Sequence, residues 1–184
     1  EVGRYLTEKE NADEMVSAVQ RWGGRHGRAA TIMALPAVVG LVPMPAGALA
    51  SAPFVQQAGG DAPELANWKA AVNYWFRHVW EYWWPLYPAV IIAMKVFDMD
   101  AWKFISGQIF LTPVAMAAGY IVLVRPHVAR LQERTGSAQG TNRRALLLFL
   151  PVAVVVAAVF VMLSSTAVLG QEGPVGPDVG EPRA

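Results

Sequence analysis

Residues 29–55 read AATIMALPAVVGLVPMPAGALASAPFV, and the fold turns on whether this stretch crosses a bilayer or doubles back inside it. It is apolar enough for lipid, yet Pro36, Pro43, Pro45 and Pro53 interrupt it. Proline removes a backbone donor, and its ring clashes with the preceding turn. Pro43 and Pro45 flank Met44, and Gly47 follows, a combination that breaks a helix. Two arms remain, 29–42 and 46–58. At about 1.5 Å per residue each is roughly 20 Å long, short of a hydrocarbon core about 30 Å thick. A re-entrant helical hairpin over 29–58 is predicted, entering and leaving on one side.

Working outward, three more apolar stretches follow at 72–97, 104–124 and 145–169, and the last two carry no charged residue. A spanning helix needs about 20 mostly apolar residues. The chain has 184 residues, 54% hydrophobic and 16% charged, where soluble domains carry roughly 25% charged. A chain this short cannot bury two such segments in a soluble core. The predicted fold is all-α and integral to the membrane. A cytoplasmic surface helix and the re-entrant hairpin precede three transmembrane helices, the first of them (72–97) broken by proline.

The loop 125–144 holds Arg125, Arg130, Arg134, Arg143 and Arg144 against Glu133, so it is predicted to be a basic cytoplasmic loop. A hairpin keeps Arg21, Arg25 and Arg28 on that same side, whereas a straight crossing puts them outside. The expected location is the plasma (inner) membrane, multi-pass, with basic loops cytoplasmic. In 1–28, Ala12, Met15, Val16 and Val19 recur at helical spacing opposite Glu10, Asp13 and Glu14. This predicts an amphipathic helix on the cytoplasmic surface, with Trp22 near the headgroups. It is not a signal peptide, and the numbering is expected to begin inside a longer protein. The stretch 170–184, rich in Gly and Pro, is expected to be a disordered tail. Cysteine is absent, which excludes a disulfide scaffold, a Cys-ligated metal and a Cys nucleophile. The net charge of +1 gives no sign of nucleic acid.

Chemistry-bearing residues concentrate in 73–88, NYWFRHVWEYWWPLYP. On a continuous helix Asn73, Arg77 and Glu81 share one face, and Arg77 can pair with Glu81. Counted from 72, Glu81 lies about 14 Å along that helix, where a carboxylate costs several kcal/mol unless paired or wet. Pro85 frees the carbonyl of Glu81 and Pro88 that of Trp84, and a cation can use them in a wet cavity. The plainer reading makes Tyr74, Trp75, Trp80, Tyr82, Trp83, Trp84 and Tyr87 an interfacial aromatic belt, with Arg77 and His78 reaching to phosphates.

The second cluster is the hairpin tip. Pro45 suits the first turn of the second arm. The N–H groups around Gly47 and Ala48 then form a half-helix N-terminus, which attracts anions. Small residues there, Ser51 among them, admit a close approach. Candidate substrate-binding residues are Gly47, Ala48, Ser51, Asn73 and Arg77. His78 and Glu81 are candidates for ion or proton coupling, and Pro43, Pro45, Pro85 and Pro88 for hinges. His78 is the one histidine placed in an apolar segment, and one histidine is a poor metal or haem site. No metal, cofactor or enzymatic activity is predicted: there is no legible Ser–His–acid set and no phosphate loop.

The segments LPAVVGLVPMPAGALASAPFV and NYWFRHVWEYWWPLYP together resemble an integral membrane family known as domain-of-unknown-function family 401, placed near the gluconate-permease and ion-transporter superfamily. The resemblance covers residues 1–126. It implies a secondary transporter about twice this length, built from inverted repeats, with solute bound where hairpin tip and helix break meet. Pro43, Pro45, Gly47 and Ser51 match the tip, and Asn73, Arg77, His78, Glu81 and Pro85 the helix that follows. A missing second repeat, or a homo-oligomer, is then implied as partner, beside the lipid bilayer. The expectation is part of a secondary transporter for a small (organic) anion coupled to H+ or Na+. The alternative is a non-transporting membrane subunit or anchor.

Overall fold

The computed structural model describes residues 9–44, 47–133 and 146–169, and every element among them is helical. Pro45, residues 1–8, most of the basic loop with Arg134, Arg143 and Arg144, and the tail 170–184 lie outside the described residues. Helix α1 spans Lys9–Gly23, α2 Gly27–Gly40, α3 Gly47–Gly59 and α4 Ala66–Arg77. After a stretch of turns come α5 Pro88–Val96, α6 Ala101–Gln108, α7 Leu111–Gly119, α8 Val128–Glu133 and α9 Leu150–Leu169. A π-helical turn, Tyr120–Val124, and a 3-10 turn, Arg125–His127, join α7 to α8.

Helices α2 and α3 form an antiparallel hairpin. Its open end is closed by Arg28 Nη1, which donates to Ala58 O at 2.9 Å. Pro36 and Pro53 sit inside the arms. At 14 and 13 residues the arms are about 20 Å long. The first arm tightens as it ends, Leu41 N donating to Val38 O and Val42 N to Val39 O, both at 3.2 Å. Pro43 then stops it, because the residue before a proline is pushed out of the helical region. Beyond the second arm, Gly60 takes φ 79 and its N–H bonds Gln56 O at 2.9 Å. That left-handed residue reverses the chain into α4. Helix α4 packs on both arms through Val72 and Phe76, which meet Ile32, Val55 and Ala58.

The apolar stripe of α1 does not lie on lipid. Met15, Val16 and Val19 are buried against Leu35, Val39 and Phe54 of the hairpin and Leu148 and Val152 near the C-terminus. Gln57 Nε2 donates to Asp13 Oδ1 at 2.9 Å, and Gln20 packs against Gly27. The helix therefore bridges the open ends of the two arms. Periodicity identifies a face that must be buried, but not what buries it. Trp22 is exposed and neighbours Phe149.

One helix among the described residues, the 27-residue run Ala101–His127, is long and apolar enough to cross a membrane. Ile109, Phe110, Val114, Ile121 and Val122 on it are exposed. Leu150–Ser165 is apolar but shorter. Of the three crossings read from the sequence, one corresponds to a helix that meets the length among the described residues. The stretch 72–97 in particular divides between α4, the turns and α5, each far too short to span by itself.

Candidate functional site

The end of the first arm, 41–44, and the start of the second at Gly47 face the turns that follow α4, and the two are treated differently. The last four carbonyls of a helix have no partner within it. On α2 the 3-10 bonds satisfy Val38 and Val39. Trp80 Nε1 donates to Ala37 O at 2.7 Å, Tyr87 Oη to Gly40 O at 2.6 Å and Trp84 Nε1 to Leu41 O at 2.8 Å. Trp83 Nε1 reaches Thr112 Oγ1 at 2.8 Å, and Thr112 in turn donates to Val79 O at 2.6 Å. Trp75 Nε1 donates to Ala115 O at 2.9 Å. The belt reading is corrected for Trp80 and Trp84, whose indoles donate into the end of α2, and for Trp83, which donates inside the protein; Trp75, though bonded to Ala115 O, is 41% exposed. Tyr74 and Tyr82 do remain exposed.

On the other side stands Arg77, the last residue of α4, 6% exposed. Its guanidinium lies over Gly47, where a Cβ would fall 2.6 Å from Nε and closer still to Nη2. Only glycine admits this approach. A Cβ on Gly40 would strike the Arg77 carbonyl, so the backbones of α2 and α4 also touch. Arg77 thus sits at the negative ends of α4 and α2 and at the positive end of α3. The first two help to hold a buried cation without a carboxylate, and the third attracts anions to the same spot. Arg77 Nε is buried with no acceptor.

Asn73, 6% exposed, lies one turn earlier and donates from Nδ2 to Ala48 O at 2.7 Å, while its Oδ1 has no donor. Ser51 is fully buried, but its hydroxyl bonds back to Gly47 O at 3.3 Å. Gly47 N donates to Met44 O at 3.2 Å, so that N–H is already used. Of the tip residues, Gly47 contributes space and Ala48 a carbonyl anchor; neither Gly47 N–H nor the Ser51 hydroxyl is free for a ligand.

The shared face of Asn73, Arg77 and Glu81 is corrected. The helix ends at Arg77, and Glu81 stands among the turns with its side chain 43% exposed. Arg77 does not pair with it. Arg77 Nη1 lies 3.2 Å from His78 Nε2, and that same nitrogen lies 3.6 Å from Glu81 Oε1. His78 Nδ1 contacts Tyr74 O. A chain of polar groups therefore leads from buried Arg77 through half-buried His78 to exposed Glu81. Pro85 falls between turns rather than inside a helix, and Pro88 starts α5 at its first turn, where its missing donor is not needed. The carbonyl of Trp84 is taken by Tyr87 N at 3.0 Å, which removes one of the two cation ligands expected there. Pro43 ends α2, and Pro45 lies outside the described residues. Among the described residues no group of three or more His, Asp or Glu side chains is placed to hold a metal ion.

The sequence matches a family model described as Protein of unknown function (DUF401) over residues 25–171. The chain belongs to the DUF401 family. That match takes in the hairpin, the aromatic turns and both apolar helices, so every part of the site lies inside the family's extent. No curated protein and no solved structure matches the chain. For this DUF401 protein the geometry is therefore the ground on which a function must be argued. Sequence reasoning missed the tryptophan hydrogen bonds, whose acceptors at the end of α2 and on α7 carry no local signal.

Proposed function

We propose that this protein is part of a membrane secondary transporter for a small anion, organic in the first instance, bound at the hairpin tip and coupled to H+. The observation that carries this reading is Arg77: a cation 6% exposed, over the first residue of α3, with Nε lacking an acceptor. A buried donor without a partner costs about 1–3 kcal/mol, more when charged, and an anion removes that cost. Asn73 anchors the second arm beside it. Broken helices that meet near the midplane are how carriers present helix ends to solute. The membrane setting is supported by the Ala101–His127 run with its exposed apolar side chains, and the tip is read as re-entrant from the cytoplasmic side.

His78 and Glu81 carry the coupling proton in this scheme. Neutral His78 accepts from Arg77 through Nε2 while Nδ1–H donates to Tyr74 O. A proton on Nε2 turns that nitrogen towards Glu81 and releases Arg77 Nη1 for the anion. Na+ coupling is the weaker option, because the carbonyls of Ala37, Gly40, Leu41 and Trp84 are occupied. The test is uptake of organic acids into proteoliposomes under proton and sodium gradients, with a second repeat or a second copy supplied where one chain is silent. Arg77→Met abolishes uptake, and Glu81→Gln removes its dependence on the proton gradient. Uptake unchanged in both variants rejects the assignment.

The alternative, a non-transporting subunit or anchor, is favoured by one observation. Ala101–His127 and α9 present broad exposed apolar faces, including Phe110, Val114, Phe160 and Val161, which a partner protein covers as well as lipid does.

A further inference from the structure

A cleft of about 890 Å3 opens between α3 and α4. Its walls are Ala48, Leu49, Ala52 and Pro53 from the arm and Ala70 and Tyr74 from α4. Gln56 and Tyr74 also line it, but two of its polar side chains are more than nine-tenths buried: Lys69 at 8% exposure and Asn73 at 6%. The Lys69 ammonium donates to Gly60 O at 2.8 Å. Among the described residues it has no carboxylate partner. An ammonium carries three donors, and a cation held this deep by a single carbonyl is under-compensated.

The amide of Asn73 is oriented by its Nδ2 bond to Ala48 O, which leaves Oδ1, an acceptor, without a donor. Lys69 and Asn73 are four residues apart on α4, but their polar atoms diverge: the carbonyls they bond, Gly60 O and Ala48 O, lie at opposite ends of the second arm, about 18 Å apart along it. The cleft therefore carries two unmet demands at a fixed spacing, one for negative charge and one for a hydrogen-bond donor, between apolar walls.

We propose that this cleft binds a small amphiphilic monocarboxylate that carries a hydrogen-bond donor at the end of its apolar body opposite the carboxylate. Lys69 takes the carboxylate, Asn73 Oδ1 accepts from the donor, and the apolar body lies against Ala52, Pro53, Ala70 and Tyr74. The volume falls within the usual range for small-molecule sites, about 300–1,000 Å3. This site is separate from the anion position at Arg77. Asn73 serves both, through Nδ2 at the tip and Oδ1 in the cleft. An anionic lipid offers the same head-and-tail chemistry, and the test separates it from a soluble ligand.

The full chain is placed in phosphatidylcholine nanodiscs, and binding of radiolabelled 4-hydroxyphenylacetate is followed by equilibrium dialysis. Its hydroxyl stands opposite the carboxylate across an aromatic ring. Phenylacetate, which lacks that donor, binds about tenfold more weakly, as expected for one hydrogen bond to a buried acceptor. Lys69→Met weakens 4-hydroxyphenylacetate at least as much, Lys69→Arg restores it, and Ala52→Phe, which fills the cleft and leaves Lys69 in place, removes it. Equal affinity for the two ligands, or unchanged affinity in Lys69→Met, overturns the proposal. So does occupancy by phosphatidylglycerol in the disc that no soluble carboxylate displaces, which assigns the cleft to lipid. A flat result here leaves Arg77-dependent uptake untouched, so the two readings fail separately.

Discussion

The end of the first arm and the start of the second face the same aromatic segment and are finished in opposite ways. At the end of the first arm every terminal carbonyl has a donor, three carbonyls taking theirs from Trp80, Trp84 and Tyr87. At the start of the second arm a guanidinium lies over Gly47 with Nε unmet, and Asn73 Oδ1 is unmet beside it. Buried polar groups are almost always satisfied. A helix end closed by three aromatic donors shows that this chain can satisfy such groups here. The open polar atoms one residue stretch away therefore read as the functional side, and the closed end as its support.

That contrast makes graded predictions about stability, measured as helicity against denaturant in detergent. The largest loss is expected for Gly40→Ala. The added methyl strikes the Arg77 carbonyl, a backbone atom that cannot swing aside, at a cost of about 1–3 kcal/mol. Next come Trp84→Phe and Tyr87→Phe, which keep a ring and remove one donor. Each strands a buried carbonyl at about 1–2 kcal/mol. Should both be neutral, the first arm's end is not held by its aromatic caps and the contrast dissolves. Arg77→Met is expected to change stability by less than about 1 kcal/mol, or to raise it, because it removes an under-compensated buried charge. A loss as large as that of Gly40→Ala makes Arg77 a structural strut instead. Smallest is Glu81→Gln, half in solvent, at under about 0.5 kcal/mol. Its effect belongs in the pH dependence of uptake.

Much of the hairpin was legible because its causes are local. Pro43 ends one arm and Gly47 opens the next, each through its own backbone chemistry; the reversal at Gly60 was not read from the sequence. The meeting of the tip with the helix that carries Arg77 was implied by the family resemblance, not by the residues alone. Glu81 was misplaced because nothing in the residues between Arg77 and Pro85 forbids a helix. That stretch unwinds so that Trp80 and Trp84 reach carbonyls more than forty residues earlier in the chain. The tryptophans looked like a belt because composition records their amphipathic nature and not their acceptors. Similarly, the stripe Met15–Val16–Val19 announced a buried face, and the hairpin rather than lipid covers it. Long-range hydrogen bonds and the choice of packing partner are tertiary facts, and no window of sequence contains them.

The central claim is that water and anions reach the hairpin tip from one side of the membrane. The chain has no native cysteine, so a single cysteine at Ala48, beside Gly47 but clear of Arg77, reports on this directly. Its reaction rate with a membrane-impermeant thiol reagent is measured in sided vesicles, with and without a small carboxylate. The account predicts labelling from the cytoplasmic side that slows when the carboxylate is present and no longer slows in Arg77→Met. Labelling from the opposite side alone, or a rate that the carboxylate leaves unchanged with Arg77 in place, contradicts it.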